Sequence, residues 1–517
     1  MANKSLFSSA VRALLPRTDT ANREHAPAYA YSPRHKLAQL AATGTLNGTF
    51  YATAELHLAE LLAAAREVEP GFVARTAVWA RRHGHMKDTP ALLCAYLSTL
   101  ATPDVSRTFP LVIDNGRMLR SFVQIMRSGA VGRRSLGTRP KRLVKEWLES
   151  ASPRELLHAS VGQAPSLADV IRMVHPHPAD AGRAAAYAYL IGKPYDVAAL
   201  PAEFAAWEAF KRNPGAELPD VPFQMLTALP LETAQWAEIA ENCSWQTLRM
   251  NLATFARHGV LALPGMAERI AQRLADAEAV RRAKVFPYQL LAAYTAAGTE
   301  IPALVREALQ DALEMAVANV PEVPGAVVIC PDVSGSMRSP VTGYRKGATS
   351  AVRCVDAAAL MAASLLRQNR QARVLPFEQR VVDVALNPRD TVLTNANALA
   401  AVGGGGTACA APLVRLNEEK AAVDLVVMIS DNQSWVDATR AQATGVMAEW
   451  TKLKARSPGA KLVCIDIQPH GTAQAAPSAD ILNVGGFSDV VFDLITAFAA
   501  GRHGAEAWVE EIERIAV

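Results

Sequence analysis

Ala326-Val327-Val328-Ile329-Cys330-Pro331-Asp332-Val333-Ser334-Gly335-Ser336-Met337 is the stretch on which the reading of this chain turns. A short apolar run, the pattern of a buried strand, ends by delivering one carboxylate and two hydroxyls at alternating positions of a turn that Gly335 relaxes. Oxygens so spaced can converge on one point, which suits a hard divalent cation that keeps several waters. Two later stretches add to it. Gly403-Gly404-Gly405-Gly406-Thr407 is a flexible loop ending in a hydroxyl, and Val426-Val427-Met428-Ile429-Ser430-Asp431 is a second apolar strand ending in a carboxylate. In open α/β sheets ligands gather outside the carboxyl ends of the strands, so three such loops can meet. The competing account makes Ser334 and Ser336 helix caps and Asp332 and Asp431 ordinary turn residues. It explains each piece but not their order.

The chain has 517 residues, half of them hydrophobic, 20% charged, with a net charge of +4. That length allows about three domains or fewer large ones, and the mild charge does not by itself mark a nucleic-acid binder. From Gly325 onward there are 18 basic against 19 acidic residues, so the basic excess lies in the first 324. Cys94, Cys243, Cys330, Cys354, Cys409 and Cys464 are scattered without a C-x-x-C pair, which fits reduced core cysteines and a cytoplasmic location. Lys4, Arg12 and Arg17 interrupt the apolar start, so no signal peptide is expected. No uncharged apolar stretch is long enough to span a membrane.

From about Leu37 to Ala318 apolar residues recur three and four apart, with short breaks rich in Pro, Gly or Asn, the pattern of successive helices. Thr89-Pro90 reads as an N-cap followed by Pro at the first helical position, and Ser152-Pro153-Arg154-Glu155 as a capping box. Stacked helix pairs of some 40 to 47 residues would give about six or seven HEAT-like units. After Pro324, short β-rich runs (Ala326 to Cys330, Ala372 to Phe377, Val423 to Ile429, Lys461 to Ile467) alternate with helical ones, which predicts a doubly wound parallel sheet. The expected division is 1–324 helical and 325–517 α/β, joined through Val320 to Gly325.

Between Asp114 and Glu146 there is no acidic residue, while Arg117, Arg120, Arg127, Arg133, Arg134, Arg139, Lys141, Arg142 and Lys145 supply nine positive charges. Pro140 opens a helix whose buried face is Leu143, Val144, Trp147 and Leu148, leaving Lys141, Arg142 and Lys145 on another. Gly132-Arg133-Arg134-Ser135-Leu136-Gly137 is a basic loop before it. These residues suit phosphate groups; the alternative is an ordinary solvated face. Arg172 and His175 stand three apart at a predicted helix end, where they can face one ligand or serve the helix dipole. His175 and His177 have no third metal ligand nearby.

Several of these features together resemble the Ro autoantigen family of TROVE-domain proteins, in a bacterial form. They are Arg75-Thr76-Ala77, the basic segment leading to Lys141–Trp147, Ile171-Arg172-Met173-Val174-His175-Pro176, Val285-Phe286-Pro287-Tyr288-Gln289-Leu290, and the C-terminal pattern of a von Willebrand factor A domain. The resemblance implies an α-helical HEAT-like repeat ring followed by a Rossmann-like von Willebrand A domain with a metal-ion-dependent adhesion site. There Ser334 and Ser336 would ligate Mg²⁺, Thr407 would do so in one of two states, and Asp332 and Asp431 would hold its waters. Asn432 stands where that family usually has Gly.

The resemblance further implies a ribonucleoprotein component. It would bind small noncoding Y RNA and misfolded or damaged RNAs with single-stranded 3′ ends, in RNA quality control, processing or decay and in stress survival, with a 3′-to-5′ exoribonuclease as a partner. Lys141, Arg142, Lys145 and His175 carry over as contacts; Arg133 and Arg134 are added on charge, and Arg172 as the companion of His175. No Walker loop, G-x-S-x-G or H-E-x-x-H is present, so a non-enzymatic protein is expected. The alternative function is a metal-dependent docking scaffold for an acidic protein ligand.

Overall fold

Ser32 caps the first described helix, Pro33–Ala41, and from there helix follows helix to Ala303–Val317, with no strand between Ala30 and Val327 among the described residues. The computed structural model describes residues 15–517 apart from 44–45, 214–216, 284, 286, 318–319, 321, 345–351 and 437–442; Pro321, in the expected junction, and Phe286 lie outside them. Successive helices pack on near neighbours. Pro70–Arg82 lies against Asp88–Leu97 and Asp104–Val112, and Asp88–Leu97 against Gly116–Ser128. Their apolar stripes, with Phe72, Trp79, Leu92 and Phe122 fully buried, leave each helix dependent on the next, as in stacked helical repeats.

The caps follow local chemistry in one case and not in the other. At Ser152 the box forms: the Glu155 amide donates to Ser152 Oγ (3.2 Å) and the Ser152 amide to Glu155 Oε2 (2.7 Å). At Thr89 it does not. The helix starts at Asp88, and Thr89 is buried with a hydroxyl that has no hydrogen-bond partner. Burial of this first turn overrides the sequence preference for a threonine cap.

The C-terminal sheet is parallel, built from β3 (Val327–Pro331), β4 (Arg373–Val374), β5 (Leu425–Ser430), β6 (Lys461–Asp466) and β8 (Ile481–Gly485) in the order β4-β3-β5-β6-β8. The first strand is thus interior, and strand order reverses between β3 and β5, where such folds bind ligands. β4 is shorter than the predicted Ala372–Phe377 run, because Pro376 has no N–H. Pairing nonetheless continues through Leu375 N to Ile329 O (2.8 Å) and Phe377 N to Pro331 O (3.0 Å). Strand β8 is not among the expected runs, because Asn483 and Gly485 interrupt its apolar pattern. Asn483 is buried, its side chain donating to Ala475 O at 3.1 Å. All six cysteines are free, and no described helix is long and apolar enough to cross a membrane.

The N-terminal segment belongs with the unit that holds this sheet rather than with the helices that follow it, through a separate three-stranded antiparallel sheet. β1 (Thr20–Ala21) pairs antiparallel with β2 (Pro27–Ala30), and β2 pairs with β7 (Thr472–Ala473). Tyr29 enters the apolar core that holds Val328, Val426 and Leu462. His35 Nε2 meets Asn483 O at 3.0 Å, and burial lowers its pKa to about 4. By compactness one unit comprises Met1–Val68, Val285–Ala296 and Gln310–Arg514, and the other Glu69–Lys284, Ala297–Leu309 and Ile515–Val517. Residue 324 marks where the parallel sheet begins in sequence, not where the compact units divide.

A fragment of residues 325–517 therefore lacks part of its own core. We expect it to bind a hydrophobic dye strongly, and a peptide of residues 15–68 added in trans to reduce that fluorescence. Equal dye binding by fragment and full chain would show that the segment is dispensable for packing.

Candidate metal centre and basic face

Asp332, Ser334, Ser336, Thr407 and Asp431 are gathered by backbone hydrogen bonds between three loops. Asp332 N donates to Ile429 O (2.8 Å), Gly335 N to Gly405 O (2.8 Å), and the amides of Trp435 and Val436 to Thr407 O (both 3.1 Å). Loops following β3 and β5 are thereby stitched to the glycine loop at the point where strand order reverses. None of the five side chains is more than 6% exposed.

The glycines have a geometric cause. Gly403 has φ +77°, and a Cβ there would lie 2.3 Å from Val333 O; Gly404 has φ +119°. Asn432, in place of the expected glycine, has φ +61°, a left-handed conformation that asparagine tolerates better than most residues. Its side chain donates to Thr472 O at 3.2 Å.

Side chains complete the arrangement. Asp332 accepts from the Ser334 amide at Oδ1 (2.8 Å) and from Ser430 Oγ at Oδ2 (2.6 Å), and Ser334 Oγ lies 3.3 Å from Ser336 Oγ. Asp431 Oδ1 accepts from the Gln433 amide at 3.4 Å. Burial, and secondarily the charge of Asp332, pushes the Asp431 carboxyl up to about 7; burial also raises Asp332, against the opposing bonds from Ser334 and Ser430. Two buried carboxylates, only partly offset by hydrogen-bond donors, lie beside three hydroxyls and make a donor set that fits a hard divalent cation. No cluster of three His, Cys, Asp or Glu side chains suited to a metal occurs among the described residues, so the donors here are hydroxyl-rich.

Several residues of this centre carry no signal in the sequence. Ser430 orients Asp332, Glu378 Oε2 accepts from Gly405 N (2.7 Å), and Arg338 donates to Gly403 O (3.1 Å). Tyr51 comes from the N-terminal segment. Burial, followed by the charge of Asp431, raises its phenol pKa, against an opposing influence of Ser336. Its ring meets His470 edge-on at 6.0 Å, and His470 stacks on His57 at 5.8 Å. Asn22 Nδ2 donates to Ser434 O (2.7 Å) and Arg23 N to Gln433 Oε1 (2.8 Å), so the same segment holds the loop after Asp431. Nothing in the local sequence around Tyr51 points to this role, since the partners are hundreds of residues away.

The basic residues form a separate region. Lys141 and Arg142 are exposed on helix Thr138–Ser150, which buries Leu143, Val144 and Leu148; Trp147 is only half-buried. Arg142 faces Glu146 (3.4 Å) and Lys145 faces Glu149 (3.7 Å), while Lys141, Arg133 and Arg134 have no ion pair among the described residues. Arg133 and Arg134 are exposed in the preceding loop. His175, exposed at φ +51°, caps helix Leu167–Val174. Arg172 reaches Asp169 (3.7 Å) and Ile191 O (2.6 Å). Glu149 joins the two helices, pairing with Lys145 and accepting from His177 N at 2.7 Å. His175 therefore leaves its helix beside the end of the basic one. The His177 side chain itself is exposed.

Residues 166–305 match the family described as TROVE domain, and residues 326–499 the family described as Ro60 vWA domain. The chain is 27% identical to the RNA-binding protein RO60 of Deinococcus radiodurans over 92% of its own length and 94% of that protein's. It is 26% identical to the RNA-binding protein RO60 of Caenorhabditis elegans over 46% of this chain and 37% of that one. A crystal structure of the Deinococcus radiodurans RO (RSR) protein shares the fold, with a TM-score of 0.62, 24% identity, and coverage of 91% of this chain and all of that one.

The raised carboxyl pKa values set a pH dependence. Between the unfolded value near 4 and the folded value of Asp431 near 7, the native state binds more protons, so stability falls as pH rises through that window. Without divalent cations, we expect wild-type protein to lose stability relative to Asp431→Asn as pH rises from about 5 to about 8, since the buried histidines with lowered pKa contribute alike to both. An unchanged slope in the variant, followed by scanning fluorimetry, would refute the assignment.

Proposed function

Because the chain belongs to the Ro family of TROVE-domain proteins, carrying both a TROVE domain and a Ro60 vWA domain, we propose that it is a non-enzymatic RNA-binding protein. Its ligands are a small structured Y RNA and misfolded or damaged RNAs with single-stranded 3′ ends. Its role is noncoding-RNA quality control, processing or decay and stress survival in the cytoplasm, with a 3′-to-5′ exoribonuclease as the class of partner that such a role calls for. The observation that carries this reading is the exposed basic helix, with His175 at its end, in a chain similar to two proteins that are both named RNA-binding.

The physics of the basic face supports the reading. Arg142–Glu146 and Lys145–Glu149 are partly exposed pairs at 3.4 and 3.7 Å, each worth about 0–1 kcal/mol, so phosphates can displace the glutamates at small cost. Lys141, Arg133 and Arg134 reach solvent without ion pairs among the described residues. Lysine point charges and arginine forks on one face bind phosphate without reading sequence, which suits recognition of RNA by shape together with an unpaired end.

The metal centre has a supporting role in this proposal. Mg²⁺ held by Ser334, Ser336 and Thr407, with Asp332 and Asp431 on its waters, would neutralise the buried carboxylates. The docking alternative, an acidic protein ligand at that cation, requires the ligand to reach side chains that are at most 6% exposed. That burial favours the RNA reading.

Replacing Lys141, Arg142 and Lys145 by Ala should weaken binding of a Y-type RNA while leaving the circular-dichroism spectrum unchanged. It should also flatten the salt dependence by about one log unit per log unit of salt for each phosphate no longer bound. Unchanged affinity in filter binding would overturn the RNA assignment of this face. Asp332→Ala should abolish Mg²⁺ uptake in calorimetry yet leave RNA affinity within about twofold, since the buried centre presents no surface for phosphate; undiminished uptake would refute the metal site.

A further inference from the structure

We propose that a cleft in the helical unit, separate in sequence from the basic segment, binds an unpaired nucleobase of single-stranded RNA. The proposal rests on the RNA-binding reading and adds a second site to it. The cleft lies among helices Phe223–Leu226, Thr233–Asn242, Trp245–Met250 and Leu252–Arg257, and its volume is about 720 Å³. That is within the range of small-molecule sites, about 300–1,000 Å³.

Its floor is aromatic. Trp236, 2% exposed, stacks on His258 at 4.0 Å with the planes 13° apart. Phe223 meets Trp236 edge-on at 6.1 Å, and Phe255 braces both rings from the buried side, at 5.9 and 6.3 Å. His258 is only half-buried and lines the cleft. The imidazole is thus fixed in orientation by the indole while remaining accessible, which is how a stacking platform for a base is built.

The walls supply the groups that read and hold a nucleotide. Gln224 and Asn251 are amides, each with a donor and an acceptor that match the mixed edges of bases. Asn251 spends its N–H on Thr247 O at 2.8 Å, which leaves its oxygen to accept. Arg257 is exposed on the rim, with no ion pair among the described residues. None of the described residues lining the cleft is Asp or Glu. A proline-rich peptide could use the aromatic floor, but an acid-free cleft with one open arginine complements a phosphodiester better.

The test uses the full-length protein and a twelve-nucleotide oligouridine, free or as the 3′ tail of a hairpin, with the blunt hairpin as control. Thr254 lines the cleft, and Thr254→Trp fills it without removing a platform residue; His258→Ala removes the platform. Each variant should weaken tail binding in fluorescence anisotropy by about tenfold, within what stacking one base contributes, and leave the blunt hairpin within about twofold. A photoreactive 4-thiouridine tail should crosslink wild-type protein within residues 223–258, a readout that does not depend on variants folding. If wild-type protein binds the tail but crosslinks elsewhere and both variants match it, the cleft assignment falls and the RNA reading stands. If a proline-rich peptide occupies the cleft while tail binding is unaffected, the cleft is a peptide site and the proposal is overturned. If wild-type protein binds no oligonucleotide or hairpin at all, both the cleft and the RNA reading fall.

Discussion

Two like-charged carboxylates, Asp332 and Asp431, are buried side by side at the carboxyl ends of neighbouring parallel strands, and the organisation of the C-terminal unit follows from making that arrangement tolerable. Desolvating one carboxylate without compensation is expensive, and a second nearby makes it worse. The chain answers with donors. Ser430 and the Ser334 amide bond Asp332, the Gln433 amide bonds Asp431, and the hydroxyls of Ser334 and Ser336 lie together. The residual charge is what a divalent cation would neutralise.

The same constraint gives meaning to the N-terminal segment. Asn22 and Arg23 hold the loop after Asp431, the Tyr51 phenol lies near enough to feel the charge of Asp431, and β2 pairs with β7 on the same unit. The low exposure of the side chains gathered there strengthens every electrostatic interaction among them. The basic face of the helical unit is built on the opposite plan, with long side chains in solvent and acidic partners held only by weak pairs. Such a surface can exchange glutamates for phosphates at little cost.

Much of the fold and of the metal centre is legible in the sequence because the signals are local. Strand β3 and the turn after it, the strand that delivers Asp431, the capping box at Ser152 and the acid-free run to Lys145 all follow from neighbours within a few residues. Where local reading fails, a distant partner intervenes. Thr89 gives up its capping role to burial of the helix start, and β8 is hidden because Asn483 is polar yet paired with Ala475 and His35. The order of the candidate site residues, from Asp332 through Thr407 to Asp431, is visible along the chain, whereas the places of Tyr51, Glu378 and Arg338 beside them are not.

The sequence by itself determined the succession of helices, the parallel sheet after Pro324, the oxygen-rich loops and the place of the positive charge, since each rests on periodicity, turn chemistry or spacing along the chain. Tertiary structure was needed to show that residues 15–68 complete the C-terminal unit, that the candidate cation site is buried, and that four short helices line an aromatic cleft. The first two depend on which surfaces meet across long separations in sequence and the third on how neighbouring helices pack, and hydrophobic burial, which drives all three, is non-directional and leaves no local mark.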